Sequence, residues 1–214
     1  MYRHDYPDYA KQSDRRRMTP MSTSSLILAS SSPYRKELME RLRIPFTVVR
    51  PEVDETPQEG EEPAMLARRL AHSKAQVVAA RSPTSVVIGS DQVATLDGIT
   101  PVGKPGTLEN ARRQLAAASG RTMHFHTAFT LLAPGHLAIE GCVPVTVDFR
   151  VLDSAEIDRY LALEQPFDCA GSARCEGLGI ALLRSIRTDD PTALIGLPLM
   201  QVAAALRTVG MPAT

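Results

Sequence analysis

A chain of 214 residues and 23.3 kDa is long enough for one ample domain whose core needs no disulfide or metal staple. Hydrophobic residues make up 43% and charged ones 22%, and 24 basic side chains balance 24 acidic ones, which argues against a nucleic-acid partner, since nonspecific binding requires a strong positive excess. No apolar run reaches the ~18 residues of a membrane span, and the three cysteines, Cys142, Cys169 and Cys175, lack C-x-x-C spacing, which fits a reducing cytoplasm better than a disulfide framework or a zinc site.

The first 25 residues, MYRHDYPDYAKQSDRRRMTPMSTSS, are polar, charged and aperiodic, without the apolar stretch of a signal peptide. They read as a disordered tail in which Arg15 to Arg17 are solvated charges, with Met18 and Met21 as alternative starts. Residues 26–212 read as one domain. LILAS (26–30) is a buried strand that breaks into ASSSPYRKEL, where Ser31 or Ser32 caps a helix with Pro33 at its first position. Such a turn is either an ordinary cap beside a solvated Arg35 or an anion grip made of helix N–H groups, hydroxyls and a guanidinium. FTVVRP is a second strand, followed by the acidic loop EVDETPQEGEEP. AMLARRLAHSKAQVVAAR is an amphipathic helix with Leu66, Leu70 and Val77 on one face. Lys74 falls at the edge of that stripe, where a lysine either snorkels or presents its ammonium to a cleft.

SVVIGSD (85–91) is the most strand-like run, with Asp91 expected at its carboxyl end, where open α/β sheets hold ligands. VATLDG and the turn-like VGKPGT lead to a helix capped by Thr107 and closed by Gly120. MHFHTAFTLLAPGHLAIEGCVPVTVDFRVL is an antiparallel hairpin turning at Pro-Gly, and Asp153 with Glu156 is a capping-box pattern opening a helix that ends near Leu163. A short strand IALLRSI, the loop DDPTALIGLP and a helix between Pro198 and Gly210 complete the chain. Strands that first alternate with helices and later pair with one another predict an α/β fold with a mixed sheet flanked by helices.

Phosphate-binding, dinucleotide, zincin and serine-hydrolase signatures are absent. His124 and His126 face the same side of a strand, but with no third ligand they read as histidines on a hydrated face. What remains is a scatter of charges near element ends: Arg35, Asp54, Glu55, Lys74, Asp91 and Lys104. Each alone reads as a solvated face, a polar turn or a strand-end carboxylate. Together, several cations and two carboxylates at one sheet edge would suit a metal-bound polyphosphate.

The segments LASSSPYRKELMERL, PEVDETP, LARRLAHSKA, VVIGSDQVATLDG, GKPGTLENARRQL, CAGSARCEGLGI and DDPTALIGLP, in this order, resemble the motifs of the Maf family of nucleotide pyrophosphatases. The resemblance implies a Maf/ITPase-like fold, two lobes around a cleft, with a mixed and mainly antiparallel extended sheet. It also implies release of a nucleoside monophosphate and pyrophosphate from a small-molecule nucleoside triphosphate, a divalent metal (Mg or Mn) as cofactor, and a homodimer. Carried over residue by residue, it makes Asp91 the general base or the group orienting the attacking water, the metal acidifying that water because a free aspartate titrates near ~3.9. Glu55 shares the metal with Asp91, while Arg35, Lys74 and Lys104 stabilise the phosphates and Ser30 and Ser32 complete a phosphate cradle.

Within the family the chain is similar to the branch acting on 7-methyl-GTP rather than the one acting on dTTP and UTP, on the strength of Tyr34, Gln92 and Glu176. A methylated guanine is cationic, so an aromatic face gains ~0.5–2 kcal/mol over the neutral base, and Glu176 can accept hydrogen bonds from the guanine edge. Related members tend to carry tryptophan where this chain has Tyr34, a smaller stacking surface, and Tyr34 also shares a helical stripe with Leu38 and Leu42 that would suit a core position. The alternatives are a dTTP/UTP pyrophosphatase and a non-catalytic nucleotide-binding regulator of cell division.

Overall fold

A computed structural model describes residues 25–214, so the tail expected over 1–25, Ser25 apart, and the starts at Met18 and Met21 lie outside the described residues. The short apolar runs form β1 (Leu26–Ala29) and β2 (Phe46–Val49), joined by α1 (Pro33–Glu40), and α2 (Pro63–Arg81) leads on to β3 (Val86–Thr95). Helical crossovers of this kind allow parallel pairing, and β1 runs parallel to both β2 and β3. Next come β4 (Pro101–Val102), α3 (Leu108–Ala118), the hairpin of β5 (Thr122–Leu132) and β6 (Ile139–Phe149), α4 (Ser154–Glu164), β7 (Leu183–Arg187) and α5 (Leu199–Thr208). Their order is β2-β1-β3-β5-β6-β7 in one seven-stranded sheet with β4 beside β3, and every pairing after the first two is antiparallel.

The core divides into two main bodies. One packs α3, α4 and the distal parts of β5 and β6 around Met123, Phe125 and Phe149; the other packs α1 and α5 on Leu26, Leu28, Ile88 and Phe129. Local signals set the helix ends. Ser32 Oγ accepts from Arg35 N, Thr107 Oγ1 from Asn110 N and Asp153 Oδ1 from Glu156 N. The capping box at α4 is half made, because Glu156 pairs with Arg150.

Three expectations are corrected. The strand expected from Ile180 begins at Leu183: Gly177 and Gly179 let the chain wind tightly against the backbone of Arg174, and Leu178–Leu182 is a 3₁₀ turn. The apolar stripe of α2 runs through Val78, not Val77, and takes in Lys74, which is buried within it rather than at its edge. Asp91 is not a strand end, since β3 continues to Thr95 along β5.

That continuation makes the notch on which the site depends. One side of β3 is paired with β5 from Val87 to Thr95; the other side carries β1 only to Gly89 and β4 only from Ala94. Between them Ser90 to Val93 have no neighbouring strand on that side. Because side chains alternate along a strand, Val87, Gly89, Asp91 and Val93 face α2 while Ile88, Ser90 and Gln92 face the 191–196 turn.

Gly89 lets α2 come this close: a Cβ there would stand 2.3 Å from Ala71 O and 2.6 Å from Ala75 N. Both are backbone atoms of a helix, so a methyl group must push α2 off the sheet. Gly89→Ala is expected to lower stability by about 1–3 kcal/mol or more, read as a lower urea midpoint at unchanged slope. Gly103→Ala, with nothing within 4 Å, is its near-neutral control.

Candidate active site

The notch opens into a cavity of ≈ 520 Å³, of the size that holds a nucleotide-like ligand. All ten residues singled out from the sequence line it: Ser30, Ser32, Tyr34, Arg35, Glu55, Lys74, Asp91, Gln92, Lys104 and Glu176. Asp54, named with them among the scattered charges, does not; its carboxylate caps a turn by accepting from Thr56 N. His124 and His126 flank the cavity-lining Phe125 and so point away from it, and burial with the charge of His124 holds His126 below its usual pKa.

Lys74 stands at the centre of the inner end. Its Nζ lies 2.7 Å from Asp91 Oδ1 and 2.6 Å from Glu55 Oε1, with Lys74 and Asp91 side chains 7% and 10% exposed against 59% for Glu55. The pair Lys74–Asp91 is therefore a buried ion pair carried by α2 and β3, and Glu55 reaches it from the loop after β2. Burial works against ionisation of Glu55, but the hydrogen bond and charge of Lys74, with Lys104 and Arg35 behind it, outweigh that and hold its carboxyl below the usual range.

Arg35 sits one turn into α1 with Nε donating to Gly196 O at 2.7 Å. That leaves the fork of its guanidinium to the cavity, where burial lowers its pKa and the charges of Asp91 and Glu55 oppose the shift. Gly196 has a φ of 119°, a backbone state reserved for glycine, and its carbonyl also lies 3.0 Å from Ser90 Oγ. Gln92 Nε2 donates to Ala193 O and Leu194 O at 2.9 and 3.0 Å, so the Pro191–Ile195 turn is tied to β3 by buried polar groups. Those bonds commit the amide N–H groups of Gln92 and leave its carbonyl oxygen as the group it can offer a ligand.

Ser30 Oγ accepts from Ser32 N at 3.1 Å and Ser32 Oγ from Arg35 N at 3.4 Å. Two of the N–H groups counted toward an anion grip are thus taken by these caps. Each hydroxyl keeps its own hydrogen as a donor toward the cavity. Lys104, exposed on the loop after β4, closes this end.

The outer end has a different charge. Tyr34 is half-buried and lines the cavity instead of joining Leu38 in the core; its hydroxyl donates to Asp168 Oδ1 at 3.0 Å. Arg174 lies over its ring, 5.1 Å from guanidinium carbon to ring centroid, and faces Glu164 at 3.2 Å and Glu176 at 3.4 Å. Asp168 and Glu176 in the cavity wall, with Glu164 behind Arg174, outnumber that one guanidinium and leave this end net negative, whereas Arg35, Lys74 and Lys104 outnumber Glu55 and Asp91 at the other. Cys169 and Cys175 are free, and burial pushes both thiols up to about 12, which makes them poor nucleophiles at neutral pH. Sequence reasoning missed Asp168 and Arg174. Arg174 had a signal, two positions before Glu176 in CAGSARCEG; Asp168 had none, being 134 residues from the tyrosine it meets.

Among the described residues no helix is long and apolar enough to cross a membrane. The sequence model described as Maf-like protein matches residues 25–209. A 7-methyl-GTP pyrophosphatase of Bordetella pertussis is 55% identical over 192 residues, covering 90% of this chain and 96% of that protein. Another of that name from Xanthomonas oryzae pv. oryzae is 55% identical over 185 residues, 86% and 96% of the two chains. Among solved structures, the Staphylococcus aureus Ham1 protein aligns with a TM-score of 0.48 at 14% identity, over 87% of this chain and 100% of that one. A family match across nearly the whole described chain and relatives of this identity have one consequence: the chain belongs to the Maf family.

Proposed function

We propose that this protein is a nucleoside-triphosphate pyrophosphatase that hydrolyses 7-methyl-GTP to 7-methyl-GMP and pyrophosphate in the cytoplasm. The observation that carries the reading is the opposite charge of the two cavity ends, which suits a ligand with an anionic triphosphate and a cationic base; relatives at 52–55% identity bear the matching name. Cations at the inner end receive phosphate oxygens. Tyr34 offers an aromatic face, worth ~0.5–2 kcal/mol more to a cationic ring than to a neutral one. Glu176 offers an acceptor to the guanine edge.

In this reading Asp91 orients the attacking water and takes its proton at the carboxylate oxygen that Lys74 does not hold. The water oxygen bonds to the α-phosphorus, the bridging P–O bond to the β-phosphate breaks, and pyrophosphate leaves with its charge met by Arg35 and Lys104. Lys74 keeps Asp91 in place. The donor set also fits a divalent cation: Glu55 and Asp91 supply hard carboxylate oxygens beside a phosphate site, as Mg or Mn requires, and each has an oxygen to spare from Lys74. When bound there, such an ion would acidify water and neutralise phosphate charge.

Asp91→Asn is expected to cut pyrophosphate release from 7-methyl-GTP by about 10²–10⁴-fold with an unchanged circular dichroism spectrum; normal turnover removes Asp91 from the chemistry. Tyr34→Arg and Glu176→Gln should each lower the preference for 7-methyl-GTP over GTP, dTTP and UTP in a substrate panel. An unchanged ranking in both variants means the base lies elsewhere.

A third test concerns Lys74. Lys74→Met leaves Asp91 buried without its partner and is expected to cost about 3–5 kcal/mol at pH 7. Glu55, being more exposed, adds little to that loss. Since the Glu55 pKa is depressed in the folded wild type, its ionised form stabilises the fold above the ordinary carboxylate range, and that share is lost as pH falls below it. The Glu55 share of the stability gap between wild type and variant, from urea unfolding, should therefore be small and should leave only as pH falls below the ordinary carboxylate range. A gap at pH 7 of under about 1 kcal/mol, the size of an exposed pair, contradicts the assignment of Lys74 and Asp91 as a buried ion pair.

A further inference from the structure

The segment after Cys169 reverses direction at Gly171, whose φ of 73° and position against Met123, 2.6 Å from a Cβ, admit no side chain. The reversal delivers Arg174 to the face of Tyr34. Its main chain is anchored, with N donating to Tyr160 Oη at 3.0 Å. Its head is held less firmly. Nη1 stands 3.2 Å from Glu164, and Nε, shielded from solvent, stands 3.4 Å from Glu176 in an ion pair without the geometry of a hydrogen bond.

A planar cation over an aromatic ring with a carboxylate at its edge is also the arrangement that a cationic purine would adopt with the same groups. Both cannot occupy one face of Tyr34, for reasons of volume and of like charge. We propose that Arg174 is the resident occupant of the base subsite, a built-in competitor that an incoming cationic base displaces from Tyr34 and Glu176 while Glu164 retains the guanidinium. The loose, partly unsatisfied hold on the guanidinium, against the firm anchor of the main chain, makes that displacement a side-chain rotation and not a loop rearrangement. Glu164 is suited to the retaining role because its second oxygen already accepts from Leu178 N at 2.8 Å, which fixes its position.

The proposal rests on the reading of the substrate as a nucleotide with a cationic base, and one experiment separates the two. Binding of 7-methylguanosine and of guanosine, nucleosides that report the base subsite alone, is measured by calorimetry for wild type, Arg174→Ala, Arg174→Gln and Arg174→Lys. Removing the competing cation should tighten 7-methylguanosine binding about 2- to 30-fold in the Ala and Gln variants, the range of one cation–π contact. The Lys variant should stay nearer to wild type, and the gain should vanish in a Tyr34→Ala background. Gln keeps the length of the side chain, so it reports even if Ala perturbs the fold. Weaker or unchanged binding in both uncharged variants overturns the proposal and makes Arg174 a prop for Tyr34. A wild type that does not prefer 7-methylguanosine to guanosine overturns instead the reading of the substrate.

Discussion

An ammonium shut away from water is costly unless carboxylates meet it, and a buried carboxylate carries the same penalty. Lys74 and Asp91 satisfy this constraint for each other at 2.7 Å, with Glu55 as a second partner. The pair also ties α2 to the middle of the sheet, between the apolar contacts that Leu66 and Leu70 make around Val93 and that Val78 makes around Val87. Helix and strand approach closely enough only because Gly89 faces Ala71 and Ala75, two residues from Asp91 along the strand and one helical turn around Lys74. The packing contact and the ion pair are thus one structural unit. A change at either is felt at the other, since residues in direct contact do not act independently.

The cavity exists because two strands stop where a third goes on. Ser30 N turns back to Leu28 O and Val49 O, Pro33 starts α1, and β3 runs past them with the edge opposite β5 unpaired for four positions, Ser90 to Val93. Unpaired strand edges are usually covered or blunted. Here the edge is bordered by the caps of α1, the Glu55 loop and the Lys104 loop, each contributing a polar side chain. The rule that ligands sit at carboxyl ends of parallel strands survives in altered form: the ends are those of β1 and β2, and Asp91 lies beside them only because β3 is longer.

The elements legible in the sequence are those whose signals are local. The Ser-Pro turn, the extent of α2, the Pro134–Gly135 hairpin turn and the Asp153 cap all stand where their residues imply. The length of β3 was not legible, for a physical reason. Ser90, Asp91 and Gln92 look like the polar end of a strand, yet they are satisfied by Gly196 O, Lys74 and Ala193 O, partners 106, 17 and 101 residues distant. A buried polar residue with remote partners cannot be told from an exposed one by local pattern. The same blindness applies to Tyr34, whose helical spacing with Leu38 suits a core position while its hydroxyl is met by Asp168. Candidate site residues were more legible than the topology, because charged and aromatic side chains at element ends stand out, and all ten line one cavity. What could not be read was the traffic between them, such as the commitment of the Gln92 amide or the guanidinium over Tyr34.

A cavity with ends of opposite sign orients a ligand before any specific contact forms. A triphosphate with a neutral base is drawn only by Arg35, Lys74 and Lys104, and can bind there in several registers. A base with its own positive charge adds attraction to the carboxylates around Tyr34 and repulsion from the inner cations, so one register is favoured at both ends. On the proposed reading register matters, because Asp91 is fixed by Lys74 and the α-phosphorus would have to be brought to it. Interactions at the base, remote from the scissile bond, then act on the rate through positioning, where displacements of an ångström are costly. With the proposed roles, selectivity and turnover are coupled in this fold: the aromatic and acidic groups that would recognise the base would also place the phosphate against a carboxylate that α2 holds still.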